Sequence, residues 1–252
     1  MVKQLNKKDE ESLLNFLLRE KEWNHFMIGD LTNFRFEENF LEYWGEYNKK
    51  EKLIAVLMRF YDSFIIYSEG NYDTKGFAKV MSNYEYKFIS GKENTVNQMT
   101  DEVTVDQKIK TYYAVLRSEE KLPKITLESI KKTKIKDLES LWILQKNEID
   151  EFDHNSSLER IKKRYLSGTS RGYHVKDEGG NIISSVETSA ENPYAAMIIG
   201  VCTHPDYRNN GYATQLLIKT CQDVLDEEKS LCLFYDNPFA GKIYKRIGFE
   251  SL

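Results

Sequence analysis

The stretch that most limits how this chain can fold lies between Ala195 and Phe249. An apolar run, "AAMIIGV", leads into the polar loop "THPDYRNNGYAT", Thr203 to Thr214. An amphipathic helical pattern follows from Tyr212 to about Glu228, with Leu216, Leu217, Thr220, Cys221, Val224 and Leu225 on one face. "SLCLFY" then reads as a buried strand, and "PFAGKIYKRI" as a short helix opened by Pro238 and closed by Gly248. The order is strand, loop, helix, strand, Asn-Pro, helix, Gly-Phe. It calls for an α+β architecture.

Upstream patterns extend this reading. Leu13, Leu14, Leu17 and Leu18 recur at helical spacing between Asp9 and Glu20, and Phe26, Ile28 and Leu31 continue the apolar pattern. "YWGEY", "KLIAVLMRF" and "SFIIYS" are separated by short polar breaks and read as an antiparallel meander. "TKGFAKVMSNY" is helical, and "YKFISG" and "KTYYAVLRS" are strands. The first domain is therefore expected over residues 1–118, with the polar segment "SEEKLPK" supplying a linker at 119–123 and a second domain over 124–252. In that second domain "LESLWILQKNEI" and "SLERIKKRYLSG" read as helices, the latter capped by Ser156 or Ser157 and stopped by Gly168. Three strands follow, turning at "DEGGN" and "ENPY".

A length of 252 residues with 40% apolar content allows one large domain or two ordinary ones. The net charge of −4, with both signs interspersed, argues against a nucleic-acid surface driven by bulk charge. No apolar run approaches the roughly 20 residues that span a bilayer, and the N-terminus shows no leader pattern. Cys202, Cys221 and Cys232 are odd in number, lack CxxC spacing and lie in apolar surroundings, which suits a reducing cytoplasm without disulfides. His25, His154 and His174 are scattered without ligand spacing, so no metal site is expected.

"Arg208-Asn209-Asn210-Gly211-Tyr212-Ala213", with "GVCTHPDY" before it and "NPFAGKIYKRIGF" after it, resembles the R/Q-x-x-G-x-G/A pyrophosphate loop of the GCN5-related N-acetyltransferase (GNAT) superfamily. The resemblance covers residues 124–252. The first half lacks this loop, yet "MIGDL", "LIAVLMRF" and "SFIIYS" are similar in layout to the degenerate N-terminal domain of tandem GNAT-like proteins. The resemblance implies two GNAT-like domains in tandem, each a mixed, mostly antiparallel sheet flanked by helices.

The loop has a physical rationale beside the resemblance. The helix starting at Tyr212 offers unpaired backbone N–H groups and a positive dipole end, and the small Gly211 and Ala213 let phosphate oxygens approach. Taken alone, "RNNGYA" also fits a plain turn and helix start; its setting favours the phosphate reading. The resemblance implies that acetyl-CoA is the cosubstrate, held by Arg208, Asn209, Asn210, Gly211, Tyr212, Ala213 and Thr214. It also implies a strand splayed from its neighbour, so that Val201, Cys202 and Thr203 pair with the pantetheine arm. The Val201 N–H would polarise the thioester carbonyl. Asn237 would hold the cofactor arm, and Tyr244 would face the sulfur and protonate the leaving thiolate.

Deprotonating the acceptor amine calls for a carboxylate near the strands. Glu187 is the leading candidate by position and Glu191 the second, each with an alternative as a solvated strand charge. His204, before Pro205, is expected to pack or cap, and the Cys202 thiol to be an inert packing group. The reading is an N-acetyltransferase acting on a primary amine of a small molecule or peptide in a ternary complex, with acetyl-CoA and an amine acceptor as partners, and neither nucleic acid nor membrane. A noncatalytic acyl-CoA-binding or sensing module is the alternative. A P-loop enzyme is disfavoured because G-x-x-x-x-G-K-[ST] does not occur.

Overall fold

In the computed structural model, two sheets carry the chain. All residues are described except Arg35, Glu37, Leu127 and 150–156. The division between two units falls after Ile109, giving Met1–Ile109 and Lys110–Leu252.

The first unit contains β1 (Val2–Gln4), α1 (Glu10–Leu17), α2 (His25–Phe34), β2 (Leu41–Tyr47), β3 (Leu53–Phe60), β4 (Ser63–Ser68), α3 (Thr74–Met81), β5 (Phe88–Gly91) and α4 (Glu93–Val96). Its five strands lie in chain order, antiparallel up to β4 and parallel between β4 and β5. The meander expected from the apolar runs is therefore present. β3 is buried on both faces, which explains why "LIAVLM" reads as a continuous apolar run rather than an alternation. Leu57 and Ala55 pack with Phe64, Phe77 and Met81. On β2, the buried Tyr43 hydroxyl donates to the Met27 carbonyl of α2 at 2.8 Å.

The second unit contains β6 (Tyr112–Leu116), β7 (Lys131–Lys132), α5 (Leu138–Glu148), α6 (Leu158–Leu166), β8 (Gly172–Lys176), β9 (Ile182–Ser189), β10 (Ala195–Thr203), α7 (Tyr212–Leu225), β11 (Ser230–Tyr235), α8 (Pro238–Arg246) and β12 (Glu250–Ser251). The strand order is β12-β6-β11-β10-β9-β8-β7. Among the described residues only the β10 and β11 pair is parallel, joined by the α7 crossover. Leu216, Leu217, Cys221 and Val224 of α7 are wholly buried against Ala196, Ile198, Leu231 and Leu233 of the sheet. Each such fully buried aliphatic chain is worth about 1.5–3 kcal/mol relative to exposure. Leu141 and Leu144 of α5 cover the opposite face with Ile182 and Cys202. Ser157 caps α6, its hydroxyl accepting from the Arg160 N–H at 3.2 Å, while Ser156 lies outside the described residues.

One expectation changes. The strand "KTYYAVLRS", assigned by its position to the end of a first domain at Ser118, joins the second sheet instead. β6 lies between β11 and β12 and pairs antiparallel with both. Its apolar alternation reports burial and carries no information about which sheet buries it. The unit boundary therefore precedes β6, and the polar segment 119–123 runs within the second unit. Among the described residues, no helix is long and apolar enough to cross a membrane.

A fragment starting at Lys124 lacks β6, whose Ala114, Val115 and Leu116 are at most 3% exposed. It is expected to melt well below a fragment starting at Lys110, or to aggregate through the bared edges of β11 and β12. Thermal unfolding followed by circular dichroism makes the comparison; equal melting temperatures would contradict the assignment of β6.

Candidate functional site

β10 and β11 pair in parallel only over Ala195–Met197, three of the nine residues of β10. Beyond Met197, β10 keeps register with β9 alone, and that register is broken between Ile199 and Cys202. Gly200 and Val201 occupy the resulting bulge with no register partner on either side among the described residues. Gly200 takes φ +64°, and a Cβ there would lie 2.4 Å from Gln145 Nε2. The backbone needs glycine both for its left-handed conformation and for the close approach of that side chain. Cys202 is 7% exposed and faces α5, and burial pushes its thiol up to about 11. Thr203 meets the Ser184 hydroxyl at 2.8 Å.

After Thr203 the chain makes a short turn over Pro205–Tyr207, capped by His204, whose Nδ1 accepts from the Asp206 N–H at 3.4 Å. Of the two roles expected for this histidine, packing or capping, the capping one is seen. Arg208 then braces the loop: its Nε donates to the Thr203 carbonyl at 3.1 Å and its Nη2 to Glu148 at 2.8 Å. Asn210 donates to the Tyr207 and Arg208 carbonyls at 3.1 and 3.2 Å. Asn209 and Gly211 are left-handed, at φ 66° and 78°. Gly211 is the N-cap of α7 and brings no side-chain acceptor to the helix, whose first turn also lacks an acidic residue. The N–H groups of Tyr212, Ala213 and Thr214 therefore keep their donor capacity. A Cβ at Gly211 would meet no atom within 4 Å, so the surface above this end is open. By contrast α3, which occupies the same crossover position in the first unit, is capped by the Asp73 carboxylate, which accepts from the Gly76 N–H at 2.9 Å.

On the α5 side of the sheet, Glu187 of β9 is wholly buried. Alternation along β9 puts Val186 in the α7 core and Glu187 opposite it. Tyr165 of α6 donates to its Oε1 at 2.6 Å, and Gln145 of α5 donates to its Oε2 at 2.6 Å. Two glycines make room for this group. A Cβ at Gly172 would lie 2.5 Å from the Tyr165 hydroxyl, and one at Gly200 would lie 3.3 Å from Glu187 Oε2. Burial raises the Glu187 carboxyl above its ordinary value, against the lowering effect of the Tyr165 and Gln145 hydrogen bonds. Glu191 is differently placed: Arg171 grips both its oxygens at 2.8 and 2.6 Å, and Thr188 adds a third contact at 2.5 Å. That carboxylate is committed to an ion cluster with Glu227 and Lys229.

Tyr244 of α8 is 8% exposed, with its ring 5.6 Å from Tyr235 and 6.0 Å from Phe249. Its hydroxyl has no hydrogen-bond partner among the described residues, and burial pushes it up to about 12. Asn237 caps α8, its Oδ1 accepting from the Phe239 N–H at 2.9 Å, which leaves its amide N–H groups as donors. His25 and His174 are buried in separate elements, and His154 lies outside the described residues. Among the described residues, no group of three or more His, Cys, Asp or Glu could hold a metal ion. Gln145 and Tyr165 carried no motif. The glycine inside the strand pattern "IIGVC" is the local signal through which the bulge could have been found.

Two glycine substitutions separate scaffold from surface. Gly200→Ala meets both strain and Gln145 and is expected to cost about 2–4 kcal/mol. Gly211→Ala meets strain alone and should cost about 1–2 kcal/mol. Urea unfolding of the two variants tests the order; a larger cost at Gly211 would contradict the open surface described above.

Residues 136–249 match the family model of the acetyltransferase (GNAT) family. The curated proteins contain no match to the chain. Among solved structures the chain is similar to a Drosophila protein, with TM-score 0.73 and 13% identity over 100% of this chain and 95% of the other. It is also similar to a tandem GNAT protein from the clavulanic acid biosynthesis pathway, with TM-score 0.60 and 12% identity over 100% and 95%. A GCN5-related N-acetyltransferase-like protein from Streptococcus suis gives TM-score 0.57 and 13% identity over 97% and 96%. At these identities the likeness concerns the fold, and it spans both units. Residues 136–249 thus match the acetyltransferase (GNAT) family model, within a chain whose fold is similar to that of a tandem GNAT protein.

Proposed function

We propose that the second unit transfers an acetyl group from acetyl-CoA to a primary amine of a small molecule or peptide, by direct attack in a ternary complex. The observation that carries this reading is the uncapped start of α7 directly after a strand that has left its neighbour. The N–H groups of Tyr212, Ala213 and Thr214 suit a diphosphate, and the open surface at Gly211 lets it approach. Asn209 and Asn210 shape that turn, with Arg208 fixing it to β10 and α5. Backbone groups of Val201, Cys202 and Thr203 suit the pantetheine amides, and the Asn237 amide suits the same arm. Three buried free cysteines agree with a reducing compartment.

Each reacting proton then has a residue. Glu187 accepts the proton of the acceptor ammonium, acting beside the Gly200 bulge, and burial makes it a stronger base than an exposed carboxylate. The Val201 N–H donates to the thioester oxygen as negative charge develops there. Tyr244, protonated at neutral pH, donates to the leaving thiolate. Holding both substrates side by side supplies much of the rate without a covalent enzyme intermediate. The base works only when ionised, so the rate should fall on acidification through the raised carboxyl value of Glu187, above the ordinary carboxylate range.

Calorimetry with acetyl-CoA should show binding to the parent chain and none to Gly211→Trp. In a thiol-release assay over an amine panel, Glu187→Gln should lose about 10²–10⁴ in kcat while keeping its acetyl-CoA affinity. Absence of binding by the parent chain would overturn the proposal. Binding without turnover on any amine would favour a noncatalytic acyl-CoA-binding module.

A further inference from the structure

Two polar side chains near Glu187 are buried without a partner. Arg164 of α6 immediately precedes Tyr165, whose hydroxyl donates to Glu187 Oε1 at 2.6 Å, and the Arg164 charge acts on both residues. Its Nε is buried and donates to no acceptor, and among the described residues its guanidinium forms no ion pair. Ser170, 5% exposed, likewise has a buried hydroxyl with no partner. Gly172 is paired with Glu187 across β8 and β9, and alternation puts Ser170, two residues before Gly172, on the face that carries Glu187. Diagonal neighbours of this kind lie about 7–8 Å apart. The Arg164 carbonyl accepts from the Thr169 N–H at 3.1 Å, so Ser170 follows one residue beyond a contact with Arg164.

Buried polar groups are ordinarily hydrogen-bonded, so two idle ones beside a candidate base call for an explanation. Cations in the last turn of a helix complement its dipole, which accounts for the position of Lys163 and Arg164. It does not account for burying an N–H without an acceptor. Nor does it account for Arg160 and Arg164 one turn apart, since like charges at that spacing destabilise a helix. The chain as a whole is net −4, which makes this unanswered positive charge a local feature. A guanidinium can only donate, and its planar fork matches a carboxylate.

We infer that Arg164 and Ser170 bind an anionic group of the acceptor, so that the substrate class is an amine carrying its own carboxylate. This rests on the reading of Glu187 as the base of an acetyl transfer. With the reacting nitrogen at Glu187 and the carboxylate at Ser170, the diagonal spacing of about 7–8 Å suits two groups separated by a carbon chain. The single carbon of an α-amino acid holds them closer together. Among the described residues facing Glu187, Tyr165 from α6 and Gln145 from α5 are neutral donors, and Arg164 supplies a charge that lowers its carboxyl. A carboxylate on Arg164 offsets that charge, so an acceptor that fits also strengthens the base that it needs.

The full chain, supplied with acetyl-CoA, is assayed by thiol release against glycine, β-alanine, γ-aminobutyrate and ε-aminocaproate, each beside its amide. At the fitting chain length the acid should exceed its amide in kcat/KM by about 10–100-fold, the worth of a hydrogen bond to a charged group. Arg164→Gln should remove that advantage by raising KM for the acid, while kcat/KM for the amide stays within about twofold. Arg164→Lys should keep part of the advantage, and Ser170→Ala should lower it by about threefold to tenfold. Equal turnover of acids and amides by the parent chain, or an equal loss on both in Arg164→Gln, would overturn the anion site and leave acetyl transfer standing. A raised KM for acetyl-CoA in Arg164→Gln, with the preference for acids retained, would assign the idle donors to the cosubstrate and overturn it as well. Turnover of no amine by the parent chain would overturn both this inference and the acetyl-transfer reading.

Discussion

The pairing of β10 with β11 stops at Met197, and the second unit's candidate site is arranged around that ending. A strand that leaves its neighbour must satisfy its freed backbone groups elsewhere or offer them to a ligand. The bulge at Gly200 and Val201 makes the departure geometrically possible, and Gln145 and Glu187 pack into the space that a side chain at Gly200 would fill. On one side of the sheet the consequence is a buried carboxylate held by two donors. Past the strand's end, the turn braced by Arg208 delivers α7 with its first N–H groups uncapped. The strand, the carboxylate and the helix start are therefore consequences of one local irregularity.

The first unit uses the same element order without that irregularity. β4 pairs with β5 from Ser63 to Ile66 and so stays joined over most of its length. A Cβ at Gly91 would lie 2.5 Å from the Ile66 carbonyl, a measure of how closely those strands approach. Its crossover helix α3 receives a carboxylate cap from Asp73, whose own N–H is held by Glu46 at 2.7 Å. A fixed anion at that helix end repels a phosphate where the start of α7 would attract one. Two copies of one topology thus differ in chemistry because of the residue that ends the turn.

Much of this was legible in the sequence because it depends on local pattern. The amphipathic face of α7, the glycine at 211 and the Asn-Pro start of α8 each specify their own conformation, and the crossover follows from their order. The strand Tyr112–Leu116 was legible as a strand but not as a member of the second sheet, since partner choice depends on contacts more than a hundred residues away. Val2–Gln4, Lys131–Lys132 and Glu250–Ser251 are too short and too polar to show a period of their own. Glu187 could be named from its strand, whereas Tyr165 and Gln145 approach it only through helix packing, and Gly172 explains itself only once Tyr165 is in place.

The central claim is that the broken strand and the start of α7 together form the acyl-CoA surface. Amide hydrogen exchange of the full chain, with and without saturating acetyl-CoA, tests it most directly. The account predicts slowed exchange at Gly200–Thr203 and at Gly211–Gln215, with the Asp73-capped start of α3 unchanged. Protection at α3, or none at either segment of the second unit under conditions where binding is measured independently, would contradict it.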